Sequence, residues 1–262
     1  MSEDILLTDI FGGRATLTLN RPDVHNAFDD ALIARLTSEL QALDSNPDVR
    51  AVVLAASGKS FSAGADLKWM QRMADYTEAE NLADAQAMAK MMKTLNGLSK
   101  PTIARVQGAA FGGGVGLIAC CDMAIASEAA RFTISEVKLG LIPAVISPYV
   151  VAAIGERQAR RYVLSAERFD ALEAERIGLV HAVVAAEDLD AAVNDLVQAI
   201  GSNGPQAVAE AKNMIAYVAR RPADDALIAE TASRIARIRV SEEGREGLSA
   251  FLEKRKPGWD KA

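Results

Sequence analysis

Apolar and polar positions alternate at the start of the chain. Residues 3–20 read as two short strands around the turn Gly12-Gly13, and in the second Thr16-Leu17-Thr18-Leu19 has the two-residue period of a half-buried strand. The period then changes. Leu32, Leu36 and Leu40 recur every four residues, which predicts a helix with one apolar face, capped by Asn26 and carrying Asp29 and Asp30 in its first turn. Ala51-Val52-Val53-Leu54 is a short apolar run with the character of a central strand, and a loop of small residues follows from Ser57 to Asp66. Tyr76 to Leu98 predicts a long helix whose apolar side carries Met88, Met91, Met92 and Leu95, a stripe that reads as core. Pro101 ends that helix. Strands at Thr102–Val106 and Asp122–Ala126 flank a helix-length apolar stretch from Gly112 to Cys121.

Strands alternating with helices from residue 50 to 127 imply a parallel sheet of βαβ units, and the pattern after Ser135 is mostly helical. Gly204-Pro205 opens a helix with Val208, Ala211, Ile215 and Val218 on its inner face. No internal repeat or linker is visible.

Half of the 262 residues are hydrophobic, enough for a large core in one α/β domain with a helical appendage. A net charge of −6 does not announce the basic patch of a nucleic-acid binder. No apolar run is long enough to span a bilayer, and the acidic Met1-Ser2-Glu3-Asp4 lacks the features of a secretory signal, so the expected compartment is the cytoplasm. Cys120 and Cys121 are adjacent and too close for a relaxed disulfide; they read as small core residues. With His25 and His181 they match no metal-binding spacing, so no metal is expected.

Several familiar motifs fail. Gly58-Lys59-Ser60 lacks the leading glycine of a phosphate loop, Gly112-Gly113-Gly114-Val115-Gly116 does not meet dinucleotide-binding spacing, and Ser62 is not in a nucleophile elbow. Two turns of small residues remain, Ser62-Ala63-Gly64-Ala65-Asp66 and Ala110-Phe111-Gly112-Gly113-Gly114, each after a predicted strand. Such turns can aim backbone N–H groups at one oxygen, as an oxyanion hole does. From spacing alone, glycines that only permit tight turns and close packing are the preferred explanation.

Ordered motifs along the chain add a resemblance. Asn20-Arg21-Pro22 with Asn26-Ala27, Phe61 to Leu67, Gln107 to Gly114, Cys121 to Ala126, and Phe251 to Pro257 together resemble the enoyl-CoA hydratase/isomerase (crotonase) family. The resemblance implies a spiral of ββα turns over residues 1–200, a helical C-terminal trimerisation region over 201–262, and assembly as trimers or hexamers. It implies an acyl-CoA thioester substrate and no cofactor, because CoA arrives with the substrate. The N–H groups of Ala65 and Gly113 would form the oxyanion hole. Ala63, Asp66, Leu67, Lys68 and Gly112 would line the substrate. Lys254 and Lys256 would reach CoA phosphates, of their own or a neighbouring subunit, or form a solvated charged tail.

Family hydratases commonly use two glutamates. The second matches Glu136; the first falls on Gly116, which has no side chain. A single glutamate also suits a 3-enoyl to 2-enoyl isomerase, and a decayed site would suit a non-catalytic CoA- or RNA-binding homologue. The stretch Ser135 to Val151, with Ala153 to Tyr162, closely resembles bacterial 3-methylglutaconyl-CoA hydratases of leucine breakdown, which share the missing glutamate. That substrate carries a far carboxylate, for which Lys68, Arg72, Ser147 and Tyr149 are the candidate partners.

Overall fold

The computed structural model describes residues 4–260, so Met1-Ser2-Glu3 lies outside the described residues. The chain opens with the hairpin β1 (Leu6–Phe11) and β2 (Arg14–Leu19); burial alternates along β2 as the sequence predicts, while β1 is exposed beyond Leu6. α1 (Asp30–Ser45) buries Leu32, Leu36 and Leu40. Its cap is Asp29, which accepts from the Leu32 amide at 2.9 Å, and not Asn26. Asn26 is fully buried in a left-handed conformation, and its amide group donates to the carbonyls of Ser57 and Ser60 at 2.8 Å each. It ties the loop before the first small-residue turn to the core.

The next segments repeat one plan. β3 (Ala51–Ala56) enters a large sheet, β4 (Ser60–Ser62) enters a small one, and α2 (Leu67–Ala74) and α3 (Glu78–Asn96) cover them. β5 (Thr102–Val106), β6 (Ala109–Phe111) and α4 (Gly113–Cys120) do the same. So do β7 (Met123–Ser127), β8 (Arg131–Thr133) and, after a 3₁₀ turn at Glu136–Leu139, α5 (Ser147–Ser165). β9 (Phe169–Asp170), α6 (Ala171–Arg176) and β10 (Ala182–Val184) complete the two sheets. The large sheet has the order β1-β2-β3-β5-β7-β10, parallel apart from the first hairpin; the small one has β4-β6-β8-β9. This is the expected spiral of ββα turns. The chain after Ser135 is mostly helical, as expected, with only the short β9 and β10 as strands among the described residues.

Every residue of β3 is buried, as a parallel strand covered on both faces requires. The core gathers Leu17, Leu54, Phe61, Met91, Met92, Val115 and Phe132, so the methionine stripe is core in the main. α7 (Leu189–Gly201) packs Leu189 and Val193 on the other face of the large sheet.

α8 (Pro205–Val218), α9 (Asp225–Val240) and α10 (Glu242–Glu253) follow. The face of α8 predicted to turn inward is not buried: Ile215 is 65% exposed, and none of the helix's residues is fully covered. Ile228 and Val240 of α9 are exposed as well. Among the described residues no helix is long and apolar enough to cross a membrane.

Candidate active site

The small sheet brings the two small-residue turns together. β4 and β6 pair in parallel, with Ser60 opposite Ala109 and Ser62 opposite Ala110, so the chain leaves both strands on the same side. Gly64 then lies against the second turn: a Cβ there would sit 2.9 Å from the Phe111 carbonyl oxygen and 3.6 Å from the Gly113 nitrogen. With φ of +86° as well, glycine is the residue this position accepts.

Hydrogen-bond accounting identifies the free donors. The Ala63, Gly64 and Asp66 amides donate to His25 O, Ser62 Oγ and Phe28 O, and the Gly112 amide to Thr133 O. Among the described residues the Ala65 amide has no acceptor. Gly113 is the first residue of α4, where an amide has no partner within the helix. Two unclaimed N–H groups therefore flank one contact, and the start of α4 adds its positive dipole end.

Glu136 stands beside them. A Cβ on Gly112 would lie 2.9 Å from Glu136 Oε1. Glu136 Oε2 is buried and has no hydrogen-bond partner among the described residues. Burial pushes the carboxyl up from the ordinary glutamate value, with the amides of Glu136 and Ser135 opposing. A carboxyl left unpaired at such a cost is a common signature of a functional group.

These groups line one cavity of about 430 Å³, walled by Phe28, Trp69, Met73, Met88, Leu141 and Ile146 with Ala65, Gly113 and Glu136. It shares Ala63 and Ala65 with a groove of about 570 Å³ lined by Arg21, His25, Asp66, Leu67, Lys68 and Arg72. Asp66 holds the groove wall in place. Its carboxylate accepts from the Lys68 amide at 2.8 Å and the Trp69 amide at 3.2 Å, which caps α2, and Arg21 reaches it at 3.0 Å. Burial works against its charge, but those two amides and Arg21 win and hold the carboxyl below its ordinary value. An apolar chamber carrying two unclaimed N–H groups, joined to a groove with charged side chains, suits a small acyl group on a long polar carrier.

The family model for enoyl-CoA hydratase/isomerase matches residues 10–262. The chain belongs to the enoyl-CoA hydratase/isomerase family. It is 36% identical over 242 residues to a protein of Mycobacterium bovis named probable enoyl-CoA hydratase echA8, covering 92% of each chain. It is 33% identical to the 2,3-dehydroadipyl-CoA hydratase of Escherichia coli, again over 92% of each. A crystal structure from Legionella pneumophila, titled as a putative enoyl-CoA hydratase/isomerase (crotonase), superposes with a TM-score of 0.94 at 50% identity, covering 99% of this chain and 100% of that one.

Against the expectations for this enoyl-CoA hydratase/isomerase fold, Ala63, Ala65, Asp66, Leu67, Lys68, Gly112, Gly113 and Glu136 all lie along the cavity or its groove. Four residues do not. Gly116 faces the core: a Cβ there would lie 2.2 Å from Ile146 Cγ2 and 3.2 Å from Met92 Cε, so those side chains occupy the space that a first glutamate would need. Ser147 donates to the Pro143 carbonyl at 2.7 Å in the first turn of α5. Tyr149 lines a different groove, between α5 and α8. Lys254 is the exposed left-handed cap of α10 and lines neither the cavity nor the groove.

Gly116→Glu is therefore expected to destabilise the fold by about 1–3 kcal/mol through overpacking, without raising turnover. A lower melting temperature with no gain in kcat is the predicted outcome. A stable variant with faster turnover would show that the space opens.

Sequence reading missed Asp84 and Trp69. The Trp69 indole N–H donates to Asp84 Oδ1 at 3.2 Å, and both line the cavity. Asp84 reads in the sequence as one polar residue among several on α3, and nothing in its spacing distinguishes it.

Proposed function

We propose that this chain hydrates 3-methylglutaconyl-CoA to 3-hydroxy-3-methylglutaryl-CoA, with Glu136 as the acid–base. The chain is an enoyl-CoA hydratase-type enzyme, and the finer reading is its substrate. The observation that carries the reaction is the buried, unpaired Glu136 Oε2 next to two unclaimed amide N–H groups. In this reading the thioester oxygen sits between the Ala65 and Gly113 amides. Water adds at C3, its proton is taken up through Glu136, and a proton is delivered to C2, so the substrate gains one water and the enzyme is unchanged. Negative charge on the thioester oxygen is the transient that the two N–H groups stabilise. CoA would lie in the groove beside Leu67 and Lys68.

The diacid substrate is supported by the resemblance over Ser135 to Val151, by Gly116 in place of the first glutamate, and by a relative named for dehydroadipyl-CoA, itself the thioester of a diacid. Exposed Ile215, Ile228 and Val240 on α8 and α9 favour a homo-oligomer in which a second copy covers them.

Incubation with 3-methylglutaconyl-CoA and mass analysis of the thioester tests the reading; the expected product is heavier by one water. The sealed Gly116 position also favours a second reading, isomerisation of a 3-enoyl thioester by Glu136 alone, and conversion without a mass gain would select it.

The raised Glu136 carboxyl sets the acid limb of the rate profile. As the base, it works when ionised, so kcat/KM is expected to rise with pH through a midpoint above that of an ordinary glutamate. An acid limb in the ordinary glutamate range would contradict this assignment.

A further inference from the structure

The acyl cavity presents a chemical problem for the substrate proposed above. Neither lysine, arginine nor histidine is among its lining residues, and the two ionisable groups that face it are Glu136 and Asp84. Lys68 and Arg72, the cationic candidates for a far carboxylate, line the outer groove instead. Arg72 is already paired with Asp30 at 2.6 Å. A diacid thioester entering this cavity would bring a second carboxylate to a wall that already carries one.

Position decides which wall. Met88 abuts the oxyanion turn: a Cβ on Gly113 would lie 2.9 Å from Met88 Cε. Asp84 is one turn earlier on the same face of α3, about 6 Å along the helix axis. It accepts from the Trp69 indole N–H and lines the same cavity as Ala65 and Gly113.

We infer that Asp84 reads the far end of the acyl group, sharing one proton with the substrate's carboxylate. Two carboxyl groups brought together in a desolvated site do not both ionise; one proton bridges them and the pair titrates as a unit. Trp69 fixes Asp84 by donating to Oδ1, which leaves Oδ2 for the substrate. The surroundings favour proton retention. Burial raises the Asp84 carboxyl, the Trp69 hydrogen bond opposes, the Asp30 charge adds to the rise and Arg72 subtracts from it. Glu136, the other ionisable residue lining the cavity, adds no positive charge. The binding event is a hydrogen bond and a proton taken from solvent, with no covalent change. This inference rests on the diacid reading of the substrate.

The test is the pH dependence of KM for wild type and Asp84→Asn, with 3-methylglutaconyl-CoA and crotonyl-CoA in parallel. For wild type, KM for the diacid thioester is expected to rise about tenfold per pH unit once the shared proton is lost, while KM for crotonyl-CoA stays level. Asparagine keeps an acceptor for Trp69 and offers an N–H that needs no proton, so the slope should vanish in the variant. Crotonyl-CoA controls for titration of Glu136, which both substrates feel.

A level KM for the diacid thioester in wild type, or a slope that survives Asp84→Asn, overturns the inference and leaves the substrate reading standing. A fall in kcat on both substrates with the KM slope intact also overturns it, since Asp84 would then act on the chemistry. Hydration of crotonyl-CoA with none of 3-methylglutaconyl-CoA removes the substrate reading and this inference together.

Discussion

Glu136→Gln is expected to lower kcat for hydration by about a hundredfold to ten-thousandfold, the usual span for loss of a positioned acid–base. On the barrier this is roughly 3–5 kcal/mol. Glutamine keeps the shape and the neighbours, so the Gly112 contact and the two amide donors remain. What it cannot do is accept or deliver a proton, and the neighbouring Asp66 carboxylate is already held by the Lys68 and Trp69 amides and Arg21. KM should move far less than kcat, because the CoA groove is untouched.

Stability should move the other way. The folded-state carboxyl is raised, so the native protein holds its proton more readily than the unfolded chain does. Ionised burial therefore costs stability, and the cost grows as pH rises through the ordinary value to the raised one. Below both values it disappears. The glutamine variant escapes it and should melt at or above wild type at neutral pH. Steady-state kinetics with thermal melts checks both halves. A variant that loses activity and also melts early would mean that Glu136 is a structural residue.

Gly64→Ala is the second large effect, with kcat expected to fall about a hundredfold to a thousandfold, the range for loss of one oxyanion donor. Alanine at φ of +86° is strained by about 1–2 kcal/mol. Its methyl would lie 2.9 Å from the Phe111 carbonyl oxygen, a backbone atom that cannot rotate away. Relief requires the two turns to separate, which pulls the Gly113 amide from the Ala65 amide and leaves no single point between them. The far-UV spectrum should be unchanged, since β4 and β6 pair before the turn. Kinetics on the folded variant decides: kcat near the wild-type value would mean that the close approach of these turns does not build the oxyanion hole.

Much of this site could be read in the sequence, but by unequal routes. Period-two and period-four patterns place β2 and α1 because each buries one face against a continuous core. The three-residue strands β4, β6 and β8 are too short to show any period, and they are the strands that bring the oxyanion turns together. Gly64 and Gly113 were visible as turn residues, while their function rested on the family resemblance.

Gly116 shows where one-dimensional reading stops. The sequence displays a missing glutamate; the structure displays Ile146 and Met92 in its place. Tyr149 is a candidate carboxylate partner from the Ser135–Val151 resemblance, yet it lies in the first turn of α5 and lines a different groove. Asn26 has the composition of a helix cap, but burial and a left-handed backbone give it to the Ser57–Ser60 loop instead. In each case a contact between distant segments overrode a sound local signal.

The most direct test of the account is the absorbance of the enoyl-thioester band when wild-type protein meets 3-methylglutaconyl-CoA, with crotonyl-CoA alongside. The account predicts loss of absorbance with the diacid thioester, slower loss with crotonyl-CoA, and no change with either for Glu136→Gln. An undiminished band with both substrates, or equal loss in the Glu136→Gln variant, would contradict it.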